Sequence, residues 1–270
     1  MLVPSKEFNN IKIHTQYSIC EGAIKIDDLA DYCKINKIKA IGLADTNNLC
    51  GALEFSEKIS KVGTQPIIGT QINLSFESII GKITLYATSE KGYKNLTKLS
   101  SLSYLKKKDT HEPSCDLNDL ISNNEDLILL TGSYKNLFGQ LFYSNKEKNV
   151  KELIEKLKST FDNRIYIEIQ RHEENQEKNY ENYLLSLSSS YDLPIIASQE
   201  VYYLDPNMAE AHDALICIGE KQFIDDQNRF KYSKYHYFKT QDEIKILYKD
   251  IPEALENNYN FPLRFNFKPK

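Results

Sequence analysis

Short apolar segments alternate with amphipathic segments along most of this 270-residue chain. KAIGLAD (39–45), DLILLTG (126–132) and LPIIASQE (193–200) have the β-branched, apolar character of buried strands. Segments 24–37 and 148–161 carry apolar residues at near-helical spacing. Repeated strand–helix units predict an α/β fold with parallel strands, because a parallel connection needs a crossover that is usually a helix.

Polar residues stand at the ends of these strands. In α/β folds the carboxyl ends of the strands, with the loops that follow them, form the active face. We therefore expect one mouth to collect the strand-end residues His14, Glu21, Asp45, Thr46, Gln71, Ser133, His172 and Glu200.

Charge and cysteine content exclude several classes of protein. The net charge of −4 gives no overall basic field, so we expect the chain alone to bind DNA weakly. The five cysteines are odd in number and never form a CxxC pair, which favours reduced thiols and a cytoplasmic location and excludes a zinc ribbon. No stretch approaches the roughly 20 apolar residues of a membrane span, so no membrane partner is expected.

The last quarter of the chain has a different character. Residues 205–230 are typical of a helix followed by a polar loop, and QDEIKILYKDIPEALENN is typical of one further helix. The basic, proline-containing PLRFNFKPK favours an open tail. The sequence thus predicts a domain over 1–250 and the start of a linker over 251–270.

Nine stretches, in this order and spacing, carry a resemblance that covers nearly the whole chain. They are HTQYSICEGAIKIDDL, LADTNNLCGALEF, QPIIGTQ, EKGYKNLTKLSSLSYL, IEIQRH, PIIASQEVYYL, AEAHDALICI, IDDQNRFKY and DIPEALEN. Together they closely resemble the N-terminal PHP (polymerase and histidinol phosphatase) domain of bacterial DNA polymerase III alpha subunits. GYKNL, AEAHD and PEALEN are typical of this polymerase branch, whereas free-standing PHP phosphatases lack them.

The resemblance implies a fold and a setting. The fold would be a distorted seven-stranded (β/α) barrel of the PHP type, leading into palm, thumb and fingers modules that this chain does not contain. The parent subunit would be a DNA-directed DNA polymerase that uses magnesium, meets DNA through those modules and joins other replicase subunits. In branches with an intact pocket, His, Asp, Glu and Cys ligands hold divalent metals for phosphoester chemistry. In others the pocket has decayed, and the domain docks a proofreading exonuclease subunit.

Matching the family's ligand positions to this chain shows losses at six of them. Lys12 stands where the first strand's His-x-His begins, and a protonated ammonium cannot ligate a metal. The other losses are Thr46, Gln71, Lys82, Ser133 and Tyr202, in place of His, Glu, His, Cys and His. Four positions keep their ligand type at least approximately, namely His14, Glu21, His172 and the acid Glu200. The resemblance therefore implies a vestigial metal site at His14, Glu21, His172 and Glu200, empty or weak, with no catalytic residue and no cofactor in this domain.

Two of the replacements are lysines. A pocket that keeps Glu21, Asp45 and Glu200 without metals would gather uncompensated negative charge. We therefore expect Lys12 and Lys82 to supply, beside Asp45, the charge balance that metal ions would otherwise bring.

Other interpretations remain open at this stage. Taken alone, His14 is more often a hydrogen-bonded structural histidine than a ligand, and His172 is equally typical of a solvated loop. His236, in YSKYHYF, is typical of a surface residue. For the whole chain, the alternatives to a docking module are a residually active metal-dependent phosphoesterase or 3'-5' exonuclease, and a free-standing histidinol-phosphatase-like enzyme.

Overall fold

The computed structural model describes residues 6–106 and 112–270. Its strands are β1 Lys12–Ile13, β2 Ala40–Leu43, β3 Gln65–Phe76, β4 Ile79–Ala87, β5 Cys115–Asp116, β6 Leu127–Leu130, β7 Ile165–Gln170, β8 Ile195–Ser198 and β9 Glu200–Val201. Its α-helices are α1 Ile26–Asn36, α2 Ala52–Lys61, α3 Glu90–Leu105, α4 Leu117–Ser122, α5 Leu137–Tyr143, α6 Glu147–Phe161, α7 Glu177–Tyr191, α8 Ala209–Glu220, α9 Gln241–Leu247 and α10 Pro252–Asn260.

One sheet runs in the order β8-β7-β6-β4-β3-β2-β1-β9, with β5 added beside β3. Because β9 follows β8 after the single residue Gln199, the two ends of this order are consecutive in the chain, and the sheet nearly closes into a barrel. The α/β barrel predicted from the sequence is therefore confirmed. Its main path has eight strands rather than seven because the last strand is interrupted at Gln199.

The hairpin between β3 and β4 departs from the all-parallel sheet that the repeated strand–helix units predict. β4 is antiparallel to both β3 and β6. The connection is the two-residue loop Glu77–Ser78, in which both residues have positive φ angles of 48° and 65°. That geometry is typical of a tight type I′ hairpin turn, and so short a loop cannot return the chain for a parallel pairing.

The segment expected to be a linker packs on the barrel. Phe261 and Phe265 are buried against Ile11, Ile67 and Ile196, near the amino ends of the parallel strands. The open tail expected for PLRFNFKPK is thus not what the structure shows, because Phe265 within it is buried. The segment PLRFNFKPK is basic in composition, but its Phe265 packs with Phe261, which directly precedes the segment, and the two rings plug the bottom of the barrel.

Polar contacts fix this plug in place. Asn258 of α10 donates from Nδ2 to the carbonyls of Ala197 and Asn9, each at 3.0 Å. The side chain of Gln65 donates to the carbonyls of Pro262 and Phe265, also at 3.0 Å. The single helix expected before it is two helices, α9 and α10, because Pro252 is tolerated at the first turn of a helix but not in its interior.

The outer helices complete the core. The largest apolar cluster lies between the sheet and α3 to α7, and a second one lies between the sheet and α1 and α2. Over residues 6–106 and 112–270, the helices are too short or too polar to cross a bilayer.

Candidate functional site at the barrel mouth

Polar side chains fill the barrel toward the carboxyl ends of its parallel strands. These side chains belong to six strands or to the residues just after them. The buried ones include Lys12, His14, Asp45, Gln71, Glu168, Ser198 and Glu200. Buried polar groups cost free energy unless they are paired. The pairings inside this mouth therefore decide what it can do.

Lys12 lies at the centre of the mouth. Its Nζ is 3.3 and 3.2 Å from the two carboxylate oxygens of Glu168 and 3.7 Å from Oε1 of Glu200. The side chains of Lys12 and Glu168 have no solvent exposure. Glu168 also accepts hydrogen bonds from Gln170 Nε2, at 2.7 Å, and from the Ser198 hydroxyl. One ammonium is thus shared between two buried carboxylates.

The sequence analysis missed Glu168. It lies in β7, whose six residues are all buried. A lone carboxylate inside such a strand is the signal that could have identified it, because charged residues are almost never fully buried without a partner.

Glu200 receives three kinds of contact from other strands. His14 Nε2 lies 3.1 Å from its Oε1, Gln71 Nε2 donates to the same oxygen at 2.6 Å, and Lys12 is nearby. Burial alone would raise the pKa of Glu200. The charge of Lys12 and the contact with His14 outweigh burial and hold the pKa well below its ordinary value.

Asp45 is held by hydroxyls and a backbone amide. It accepts from Thr15 N, Thr15 Oγ1 and Ser18 Oγ, each at 2.7 Å. Ser18 Oγ also lies 3.1 Å from His14 Nδ1, so the ring of His14 is engaged on both sides. Burial raises the pKa of Asp45 despite these hydrogen bonds.

Lys82 and Glu21 form a second ion pair nearer the solvent. Lys82 Nζ lies 2.6 Å from Glu21 Oε1, and both side chains are about a quarter exposed. The hydroxyl of Thr46 donates to the other oxygen of Glu21. Burial would raise the pKa of Glu21, but Lys82 and His14 bring it below its ordinary value.

His172 is buried rather than solvated. Its Nε2 accepts from the backbone N–H of Glu200 at 3.2 Å, and its Nδ1 lies 3.3 Å from Glu177 Oε1. Its ring stacks on His236 with centroids 3.9 Å apart, so His236 is also buried, contrary to the surface position expected for it. Burial lowers the pKa of His172 well below its ordinary value. Both ring nitrogens of His172 are therefore occupied by protein groups.

An open cavity of about 330 Å³ lies above these pairs. Its wall includes Glu21, Lys82, Lys135, Glu200, Tyr202 and Tyr232. Over residues 6–106 and 112–270, no three His, Cys, Asp or Glu side chains are arranged so that they could hold a metal ion together.

Comparison with known proteins places the chain in a family. Residues 10–172 match the family model for the PHP domain. The DNA polymerase III subunit alpha of Caulobacter vibrioides is 33% identical over 96% of this chain, and that of Borreliella burgdorferi is 34% identical over 93%. In both cases the chain spans 23% of the relative's length.

A solved structure assigned as a metal-dependent phosphoesterase, from Bifidobacterium adolescentis, is also similar. It shares 11% identity with a TM-score of 0.49, covering 73% of this chain and 88% of that one. That likeness is too weak to bear on function. The match to the family model extends over more than half of the residues, and the chain therefore belongs to the PHP domain family.

Proposed function

We propose that this chain is the PHP portion of a replicative DNA polymerase III alpha subunit, in which the barrel serves as a structural and docking module for the proofreading exonuclease subunit. Its similarity to curated alpha subunits over almost its whole length supports this assignment. The parent chain would carry out DNA-directed DNA synthesis in the cytoplasm with magnesium, and would reach DNA and the other replicase subunits through modules outside this chain.

The ion pair of Lys12 with Glu168 and Glu200 is the observation that carries the proposal. A divalent metal cluster needs ionised carboxylates and neutral imidazoles whose lone pairs are free. Here an ammonium occupies the space between the two carboxylates. A cation placed beside it would be repelled and would have to displace a fully buried lysine.

The remaining candidate ligands are engaged in the same way. Glu21 is paired with Lys82, and His172 is held between the Glu200 backbone and Glu177. Gln71 offers only a neutral amide, whose nitrogen is bonded to Glu200. This donor set does not fit a divalent metal cluster, and we therefore derive no metal-dependent step from it.

Metal content and turnover test the inactive pocket. We expect the purified chain to hold less than one equivalent of manganese or zinc and to hydrolyse neither a phosphomonoester nor the 3' end of single-stranded DNA. Stoichiometric metal with turnover that His14→Ala abolishes would contradict the proposal. That result would instead support a residually active phosphoesterase or 3'-5' exonuclease.

Binding tests the docking role. The exonuclease subunit of the same organism should be retained by this chain in a pull-down and should form a stable complex in size-exclusion chromatography. Absence of binding at micromolar concentrations would leave the chain only a scaffolding role within its parent subunit.

A further inference from the structure

Exposed apolar side chains gather on one rim of the barrel mouth. Ile218 and Phe223 are 72% and 80% exposed, and Ile224 beside them is 48% exposed. Ile19, on the loop after β1, is 80% exposed. We call Ile19, Ile218, Phe223 and Ile224 the rim patch. Exposed apolar groups are unremarkable singly, but clusters of them mark interaction sites.

The loop that carries Ile19 contacts the end of α8, which carries Ile218. A Cβ added to Gly219 would lie 2.6 Å from the Cβ of Cys20, so these backbones meet too closely for any larger side chain at 219. Ile19 precedes Cys20 and Ile218 precedes Gly219 in the chain. Ile19 and Ile218 therefore lie on adjoining backbones, and Phe223 and Ile224 follow in the loop directly after α8.

The outer face of α8 extends this surface. Ala211, Leu215 and Ile218 are spaced four and three residues apart, which places them on one side of the helix. Ala211 and Ile218 are exposed and Leu215 is half-buried, whereas the opposite side buries His212 and Ile216. An amphipathic helix normally turns polar residues outward, and α8 does the reverse over this stripe.

The loop after α8 has a defined conformation. Phe223 N donates to Asp226 Oδ2 at 2.8 Å, and Asp226 N donates back to the Phe223 carbonyl at 3.1 Å. The guanidinium of Arg229 binds both oxygens of Asp213 on α8, at 2.6 and 2.5 Å, and donates to the Ile224 carbonyl at 3.1 Å. These contacts fix the backbone of the loop and leave the side chain of Phe223 exposed to solvent.

Charge indicates what could cover this surface. Residues 205–226 contain six aspartates and glutamates and one lysine, whereas the whole chain has a net charge of only −4. Arg229 and Lys231 pair with Asp213 of this set, which leaves Glu220 and Asp225, near Ile218 and Ile224 in the chain, as acidic groups beside the apolar stripe. Nucleic acid would be repelled here, because its binding depends on neutralising phosphates. A basic partner would be attracted.

We propose that the rim patch and the outer face of α8 bind an amphipathic, lysine- or arginine-rich segment of the proofreading exonuclease subunit. Its apolar side chains would cover Ile218 and Phe223, and its cations would face Glu220 and Asp225. This inference rests on the proposed docking function and names the surface that performs it.

Binding of the purified exonuclease subunit to the whole chain, followed by calorimetry, tests the surface. Phe223→Ser combined with Ile218→Ser should weaken binding at least tenfold, since buried aromatic anchors dominate interfaces. Glu220→Lys with Asp225→Lys should also weaken it and should reduce its dependence on salt. Ile246→Ser, at a 70% exposed position on α9, and Glu152→Lys with Glu155→Lys on α6 are the matched controls and should bind like wild type.

The outcomes separate this surface from the docking function itself. If the variant with Phe223→Ser and Ile218→Ser binds the exonuclease subunit as tightly as wild type and melts at the same temperature, the proposed surface is wrong. The docking function itself would then still stand. Failure of the wild-type chain to bind would overturn both. If the variant keeps exonuclease binding but loses self-association, the partner of this surface is a second copy of the chain. If it loses single-stranded oligonucleotide binding instead, the partner is DNA.

Discussion

The two ends of this barrel are closed in opposite ways. At the bottom, Phe261 and Phe265 lie among aliphatic strand residues. Toward the mouth, Lys12 lies between Glu168 and Glu200. Apolar burial is non-directional and tolerates small changes of position. A buried ion pair is stable only while each charge keeps its partner.

The comparison suggests why the mouth remained polar. Its carboxylates come from strands that also build the barrel wall, and their negative charge needs a buried cation whether or not a metal supplies it. The ammonium of Lys12 supplies that charge, lying between Glu168 and Glu200. The buried cluster at the bottom contains no charged residue, so apolar packing is enough there.

Removal of residues 252–270 should have the largest effect. Each fully buried phenylalanine contributes about 2 to 3 kcal/mol, and typical domains are stable by only about 5 to 15 kcal/mol. Loss of Phe261, Phe265 and the whole of α10 should therefore abolish cooperative unfolding in urea. Removal of 266–270 alone, which keeps both phenylalanines, should leave a cooperative transition. A truncated chain that unfolds like the full one would restore the linker interpretation.

Lys12→Met should be the most damaging single substitution at the mouth. The side chain keeps its unbranched shape, is shorter by one atom and loses its charge, which leaves Glu168 and Glu200 buried without the lysine cation. We expect a loss of about 3 to 5 kcal/mol in the free energy of unfolding, measured by urea denaturation. Lys61→Met, at an exposed lysine of α2, is the control and should change little. A Lys12→Met protein as stable as wild type would show that the ammonium is dispensable.

Lys82→Met should have the smallest effect of the three. The Lys82–Glu21 pair is partly exposed, so water can solvate Glu21 when the lysine is lost. We expect a loss of about 1 kcal/mol or less in the free energy of unfolding, and the loss should shrink in high salt. If Lys82→Met lowers the free energy of unfolding as much as Lys12→Met does, the burial of an ion pair in the mouth does not determine its contribution to stability.

Part of this architecture could be predicted from the sequence. Strongly periodic segments such as 24–37 and 148–161 gave helices close to their observed bounds, α1 and α6. The strand-end rule also placed His14 and Glu200 in one mouth, where they are in contact. Such features depend on local pattern and on the geometry common to parallel sheets.

Features that depend on long-range packing could not be predicted. Both faces of β7 are buried, so its sequence cannot tell that Glu168 faces Lys12 from β1. His236 looks like a surface residue until its partner His172, 64 positions earlier, is placed against it. Phe261 follows the polar stretch 256–260 without a helical or alternating apolar pattern, and only the closed barrel gives it a place to be buried.

A double-mutant cycle between Lys12 and Glu168 tests the central claim most directly. Wild type, Lys12→Met, Glu168→Gln and the double variant are unfolded in urea with EDTA present, so that no divalent metal contributes. We predict that the double variant is more stable than the sum of the single losses allows, by about 1 to 3 kcal/mol. Additive losses in the absence of metal would contradict the claim that the Lys12 ammonium balances the charge of these buried carboxylates.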